Sequence, residues 1–151
     1  MIVRHTEPSL HNFIGNQAGV YGCIAPDPYS GEPLDFTECA DAPNEYVLLS
    51  NGSDAASIFE WFGPGIYEGH TMFLPSCRGK EALQNGRAMV DFMFEELDAV
   101  MLWGQTPTHL PAARWFNRKL GFQLVGEKVH YMMGPSQLFR MDKARWEATR
   151  R

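Results

Sequence analysis

Two ionisable side chains, Glu68 and His70, stand two residues apart in the stretch GIYEGHTMFLP, residues 65–75. On an extended strand such residues project from one face. An imidazole beside a carboxylate is suited to moving protons near pH 7. Burying both without partners is costly. The pair is therefore read as candidate catalytic groups in a cleft, with a hydrogen-bonded core or edge-exposed His70 as the plainer alternative. The turn from Pro75 to Lys80 is the second place for chemistry. A helix beginning there presents unpaired N–H groups and a partial positive charge, to which Arg78 and Lys80 add two cations. That combination suits the phosphates of a cofactor, although a basic helix start can also bind nothing. Cys77 lies in the same turn, where a thiol pKa can be lowered, and a bystander thiol is the simpler reading. His5, His11, His70, His109 and His130 and the three cysteines show no metal-ligand spacing, so no metal site is expected. No Gly-x-Ser-x-Gly elbow is present.

The elements that must position these groups can be read from periodicity. Residues 66–74 are aromatic and apolar and stop at Pro75, which fits a strand. From Arg78 the period changes: Ala82, Gly86, Met89, Val90, Met93 and Leu97 share one helical face. Ala99–Trp103 is an apolar run of strand length closed by Gly104. Strand, helix and strand make a βαβ unit with parallel strands and a right-handed crossover. Upstream, Met1–Val3 suggest a first strand, and Ser9 can cap a short helix through Leu10, Phe13 and Ile14. Glu45–Ser50 and Ala55–Phe62 read as strands joined by the Asn51–Gly52 turn, and Gly63-Pro64-Gly65 turns the chain into the strand of Glu68. Downstream, Gln105–Thr108 reads as loop with Thr108 as an N-cap. Pro111 opens a helix that Gly121 closes. Phe122–Val125 and Val129–Met133 read as a final strand pair. Residues 142–151 read as a charged, exposed helical tail carrying Trp146, with Trp61, Trp103 and Trp115 assigned to the core.

A chain of 151 residues suggests one domain with one sizeable core. An apolar content of 44% and a charged content of 21% are ordinary for a folded protein. A net charge of −5 argues against a general nucleic-acid binder. MIVRHTEPSLHN has no apolar signal region and no run approaches a membrane span. Three cysteines without paired spacing point to reduced thiols and a cytoplasmic setting. Residues 25–44 are broken by prolines and carry Asp27, Glu32, Asp35, Glu38 and Asp41 without a lysine or arginine. A loop of that length is often functional. It is read as an acidic flap beside a pocket for a cationic group, or else as a solvated acidic loop.

The order LPSCRGKEAL, apolar strand, RWFNRKLGFQLVGE resembles the core of the GNAT acyltransferase superfamily over residues 45–133. The chain is also similar to the small GNAT-like proteins of tailed bacteriophages. The resemblance implies a single α/β domain: a mostly antiparallel mixed sheet with one central parallel pair splayed around acetyl-coenzyme A. It implies acetyl transfer to an amine by direct attack, with Glu68 or His70 as general base. Backbone at Phe73 and Leu74 would hold the pantetheine arm, and Arg78, Gly79, Lys80, Glu81, Ala82 and Leu83 the pyrophosphate. Glu81 and Leu83 stand where the family usually has two glycines, and Asn117 where many members have the tyrosine that protonates the thiolate. Asn117 can contact the cofactor but cannot supply that proton, which leaves Tyr131 as a remote substitute, or water. Those departures keep two alternatives open: a GNAT fold serving as a phage structural or interaction protein, and a coenzyme A-binding module without turnover. The resemblance is compatible with a homodimer and implies neither a nucleic-acid nor a membrane partner.

Overall fold

The computed structural model describes residues 1–24 and 31–150. Among these residues one sheet holds β1 (Val3–His5), β2 (Tyr46–Ser50), β3 (Ala55–Gly63), β4 (Ile66–Phe73), β5 (Met101–Pro107), β6 (Gln123–His130) and β7 (Gly134–Asp142), in the spatial order β1-β2-β3-β4-β5-β7-β6. Each neighbouring pair is antiparallel except β4 and β5, which run parallel. The mixed sheet with one central parallel pair is thus as expected. The crossover between the parallel strands is α4 (Gly79–Glu96), and α5 (Pro111–Leu120) packs on the same side. The other side carries α1 (Ser9–Gly15), α2 (Tyr21–Ile24) and α3 (Thr37–Ala40), and α6 (Lys143–Thr149) ends the chain.

Two apolar layers sandwich the sheet. Strand alternation sends Leu49, Phe59, Phe73 and Met141 towards α4 and α5, where Met89, Met93 and Phe116 meet them. Leu48, Ala56, Ile58 and Met72 face the opposite way, against Ile14 and Val20. The β2–β3 turn forms where Asn51–Gly52 was expected. The Asn51 side-chain oxygen accepts the N–H groups of Ser53, Asp54 and Ala55 at 3.0, 3.0 and 3.1 Å, the local bonding that favours asparagine in turns. Gly121 ends α5 with φ 103°, the left-handed conformation that glycine adopts without a Cβ clash.

Several elements differ from the sequence expectation. β5 does not close at Gly104 but runs on through Gln105 and Thr106 to Pro107, because β7 pairs with it along its whole length, from Met101↔Asp142 to Pro107↔Ser136. Pro107 falls at the strand end, where a missing N–H is tolerated. The two segments expected as a closing strand pair lie largely within the single strand β6, whose partner β7 begins after a turn. The His130 Nδ1 accepts the Met132 and Met133 N–H groups, each at 3.1 Å, and closes that turn. Ser9 does not cap α1; Pro8 precedes the helix, and the Ser9 N–H donates to the Glu7 carboxylate at 3.0 Å. Thr108 does not cap α5 and donates instead to the Pro135 carbonyl at 3.2 Å.

The tryptophans are redistributed. Trp61 and Trp115 are about half exposed and Trp103 is partly buried, whereas Trp146 is buried. Its ring stacks on Phe94 at 4.9 Å, and its Nε1–H donates to Asp91 at 2.8 Å. The tail is therefore docked onto α4 through one amphipathic ring. Asp142 caps it by accepting the Arg145 N–H at 2.8 Å. Among the described residues no helix is long and apolar enough to cross a membrane.

Candidate active site

β4 and β5 pair only from Ile66↔Met101 to Glu68↔Trp103, although β4 continues to Phe73 and β5 to Pro107. Beyond Glu68 the strands fork. Two glycines mark the fork: a Cβ at Gly104 would stand 3.5 Å from the Gly69 carbonyl, and one at Gly69 would meet the Phe59 ring at 2.9 Å. At Gly69 the missing side chain makes room for the Phe59 ring of the neighbouring strand β3. Leu74 donates its N–H to the Asp54 carbonyl at 2.9 Å, away from the fork. Peptide groups alternate sides along a strand, so Gly69, Thr71 and Phe73 turn their N–H and C=O groups towards the opened edge. Leu74 has no free N–H to offer a ligand, whereas Phe73 has.

A cavity of about 730 Å³ runs through the fork and is lined from both faces of the sheet. At one end stands the start of α4. Arg78 is its N-cap in an extended conformation, with no side chain bonding the first-turn N–H groups. Gly79 has φ 58°, and nothing lies within 4 Å of where its Cβ would be; its role is conformational. Arg78, Gly79, Ala82 and Gly86 line the cavity. Lys80 and Glu81 are exposed, and Lys80 and Leu83 border a shallow groove on the outer surface. The two positions aligned with the family glycines thus lie off the cavity wall. The wall there is built instead from the small residues Gly79 and Ala82. Cys77 is buried, and burial together with the nearby Asp54 charge pushes its thiol pKa up, outweighing Arg78. The expected lowering is corrected: desolvation disfavours the thiolate more than a neighbouring cation favours it.

At the other end Glu68 and His70 are joined, with His70 Nε2 3.0 Å from a Glu68 oxygen. Gln105, from the stretch expected as loop, donates to the second Glu68 oxygen at 3.0 Å. Glu68 is buried and His70 is half exposed. Burial acts to raise the Glu68 pKa, but the hydrogen bonds from His70 and Gln105 hold it below the ordinary 4.5. A carboxylate that takes the Nε2 proton fixes the imidazole tautomer and leaves Nδ1 as the nitrogen that accepts a proton. Glu60, which sequence reasoning did not single out, stands directly across from Glu68 in the β3–β4 ladder. Donor atoms of Glu60, Glu68 and His70 lie within 4.8 Å of one another. The pairing of position 60 with 68 depends on a register shift between Trp61 and Gly63, which the turn alone does not reveal.

Asn117 lines the cavity and donates to the Thr106 hydroxyl at 2.7 Å. Tyr131 sits exposed at the tip of the β6–β7 turn, stacked on His130 at 4.8 Å. The segment after Ile24 does border the cavity, but with Leu34, Phe36 and Cys39. Its acids Glu32, Asp35, Glu38 and Asp41 are exposed, and Asp27 lies outside the described residues. Asp35 is held below its ordinary pKa by hydrogen bonds from Thr37 and Asn12.

No protein-family profile matches the sequence, and no curated protein matches it. Solved structures do. Aminoglycoside acetyltransferase AAC(6')-Ib with ribostamycin and coenzyme A superposes with a TM-score of 0.79 at 16% identity, over 100% of this chain and 97% of that one. The same enzyme with coenzyme A and kanamycin gives 0.76 at 17% identity, covering 100% and 99%. A variant of spermidine N-acetyltransferase SpeG from Vibrio cholerae gives 0.74 at 13% identity, covering 100% and 99%. At these identities the likeness is one of fold, and end to end this chain has the fold of the GNAT acetyltransferases.

Proposed function

We propose that the protein transfers an acetyl group from acetyl-coenzyme A to an amine. One observation carries the reading: a forked parallel pair joins an uncapped helix N-terminus with Arg78 to the Glu68–His70 pair through one continuous cavity. The structures of like fold bind coenzyme A and amines, which supports it further. The residues present fit such a donor. Free N–H groups of α4 and the Arg78 guanidinium suit a pyrophosphate. Nothing lies within 4 Å of where a Gly79 Cβ would stand, which leaves room at the helix start. The unpaired β4 edge at Phe73 offers backbone groups to an extended amide-bearing arm.

Acetyl-coenzyme A supplies an acyl carbon activated as a thioester. This chain supplies the rest. Glu68 holds His70 by Nε2, so that Nδ1 takes the proton that an ammonium must lose before its nitrogen can attack. The departing thiolate draws its proton from water, since Asn117 has no acidic group and Tyr131 is remote.

Calorimetric titration of acetyl-coenzyme A into the protein tests the reading. Micromolar binding, weakened at least tenfold in Arg78→Glu, is expected. No binding at millimolar cofactor would sink the proposal.

A further inference from the structure

The amine half of the cavity narrows the acceptor, an inference that rests on the acyl-transfer reading above. On this side of the sheet the walls are Val20, Ile24, Leu34, Phe36, Ile58 and Met72. Among the described lining residues here, the acidic side chains are Glu60 and Glu68, with His70 beside them. They stand together at one point, within 4.8 Å. The acids of the proline-rich segment that the structure describes do not line the cavity. Glu68 is already bonded to His70 and Gln105. Glu60 takes no hydrogen bond from any described residue, and its charge raises the pKa of Tyr46 and Cys39 in addition to the effect of burial.

Two like charges directly opposite on a ladder repel, and a cation between them relieves that repulsion. One ammonium suffices. A second or third, carried further into the cavity, would meet Phe36, Ile24 and Ile58 with no carboxylate to pair with among the described lining residues. A buried unpaired charge is strongly disfavoured, whereas an apolar body gains by burial against those side chains. We infer that the acceptor is an amphipathic monoamine, its ammonium seated between Glu60 and Glu68 beside His70 and its aromatic or branched aliphatic body lying against Ile24, Phe36 and Ile58. The reaction balances without a further reagent. The ammonium gives one proton to His70, the freed nitrogen bonds to the thioester carbon, and the C–S bond breaks with its electron pair leaving on sulfur. The resulting amide nitrogen sheds its second proton, and the thiolate is protonated to the thiol.

The test measures thiol release from acetyl-coenzyme A by the full chain with four amines: phenethylamine, isoamylamine, spermidine and kanamycin. The two monoamines are expected to show kcat/KM at least tenfold above the two polycations. Glu60→Gln is expected to raise KM for phenethylamine about tenfold while kcat stays within a few-fold and acetyl-coenzyme A binding is unchanged, which also shows that the variant is folded. Phe36→Glu, placing a third carboxylate further along the wall, is expected to shift preference towards spermidine. Equal or better turnover of spermidine or kanamycin by the unaltered protein would overturn this inference and leave acetyl transfer standing. Acetyl-coenzyme A binding with no turnover of any of the four amines would also overturn this inference, and would favour a coenzyme A-binding protein without turnover. Failure to bind acetyl-coenzyme A would instead remove the acyl-transfer reading itself, and this inference with it.

Discussion

In the proposed acyl transfer, Glu68 and His70 would divide the labour of one proton transfer through their surroundings. The carboxylate is buried, doubly hydrogen-bonded and held ionised, so it serves as an anchor; the imidazole is half exposed and can meet a substrate. A base that acts only while the amine is being deprotonated should matter to turnover and not to donor binding. His70→Ala is therefore expected to lower kcat by roughly 10²–10⁴-fold, the usual range for a positioned acid–base group. Its acetyl-coenzyme A affinity, read by calorimetry, should stay within about twofold. A fall in affinity of the same size as the fall in kcat would place His70 in donor binding and remove it as base.

At the scale of elements, α4 and α5 meet closely at Gly86. A Cβ on Gly86 would stand 2.5 Å from the Phe116 ring and 3.3 Å from Leu120. Phe116 has little freedom to retreat, since it packs edge-on to Phe73 at 5.3 Å. Alanine in mid-helix gains about 1 kcal/mol over glycine, while overpacking a core costs about 1–3 kcal/mol. The clash should win: Gly86→Ala is expected to destabilise the fold by about 1 kcal/mol, a fall in Tm of about 3 °C for a chain of this size. In a Phe116→Leu background the same change should stabilise. Equal effects in both backgrounds would show that the contact does not set the helix spacing. α4, α5 and the βαβ unit were legible because their evidence is local, in the 3.6-residue period of α4 and the Pro111 and Gly121 boundaries of α5, whereas α2 and α3 (the latter inside the stretch read as a loop) were not. β5 was cut short because Gly104 and Pro107 look like turn residues, and the ladder that overrides them comes from β7, some thirty positions later. Trp146 was assigned to solvent for the same reason: Asp91 and Phe94, its partners, are remote in sequence. In the site, alternation alone put Glu68 and His70 on one face. Glu60 and Gln105 needed strand register, and the sign of the Cys77 shift needed its burial.

On the scale of the whole molecule, the cavity wall formed by Ile24, Phe36 and Met72 rests on α1. The backbone of Gly15 packs against Phe36, Met72 and Ile24; a Cβ there would stand 3.2, 3.3 and 3.5 Å from them. Those three residues line the cavity. One turn earlier on α1, His11 is fully buried, with Nε2 3.0 Å from the Leu49 carbonyl and 3.1 Å from that of Ser57. Two carbonyls around one nitrogen require Nε2 to carry the proton, and Nδ1 has no partner among the described residues. Protonating Nδ1 would create a cation in an apolar layer, so burial, with a smaller contribution from His5, lowers the His11 pKa from its ordinary 6.5. The unfolded chain then takes up a proton near pH 6.5 while the folded chain does so only at lower pH. Across that window the unfolded state binds more protons, and stability rises with pH. The contribution is complete above about 6.5 and is lost as the pH falls from there towards the folded value. His11→Gln keeps an N–H donor for the two carbonyls and cannot titrate. It is expected to be less stable than the unaltered protein at pH 8, and to lose less stability between pH 6.5 and 5. The difference in slope should approach one proton, about 1.4 kcal/mol per pH unit, as read from denaturant unfolding at fixed temperature. Parallel pH profiles for the two proteins would mean that His11 does not carry the acid sensitivity of this face. Non-parallel ones would assign the acid sensitivity of this face to a single buried imidazole.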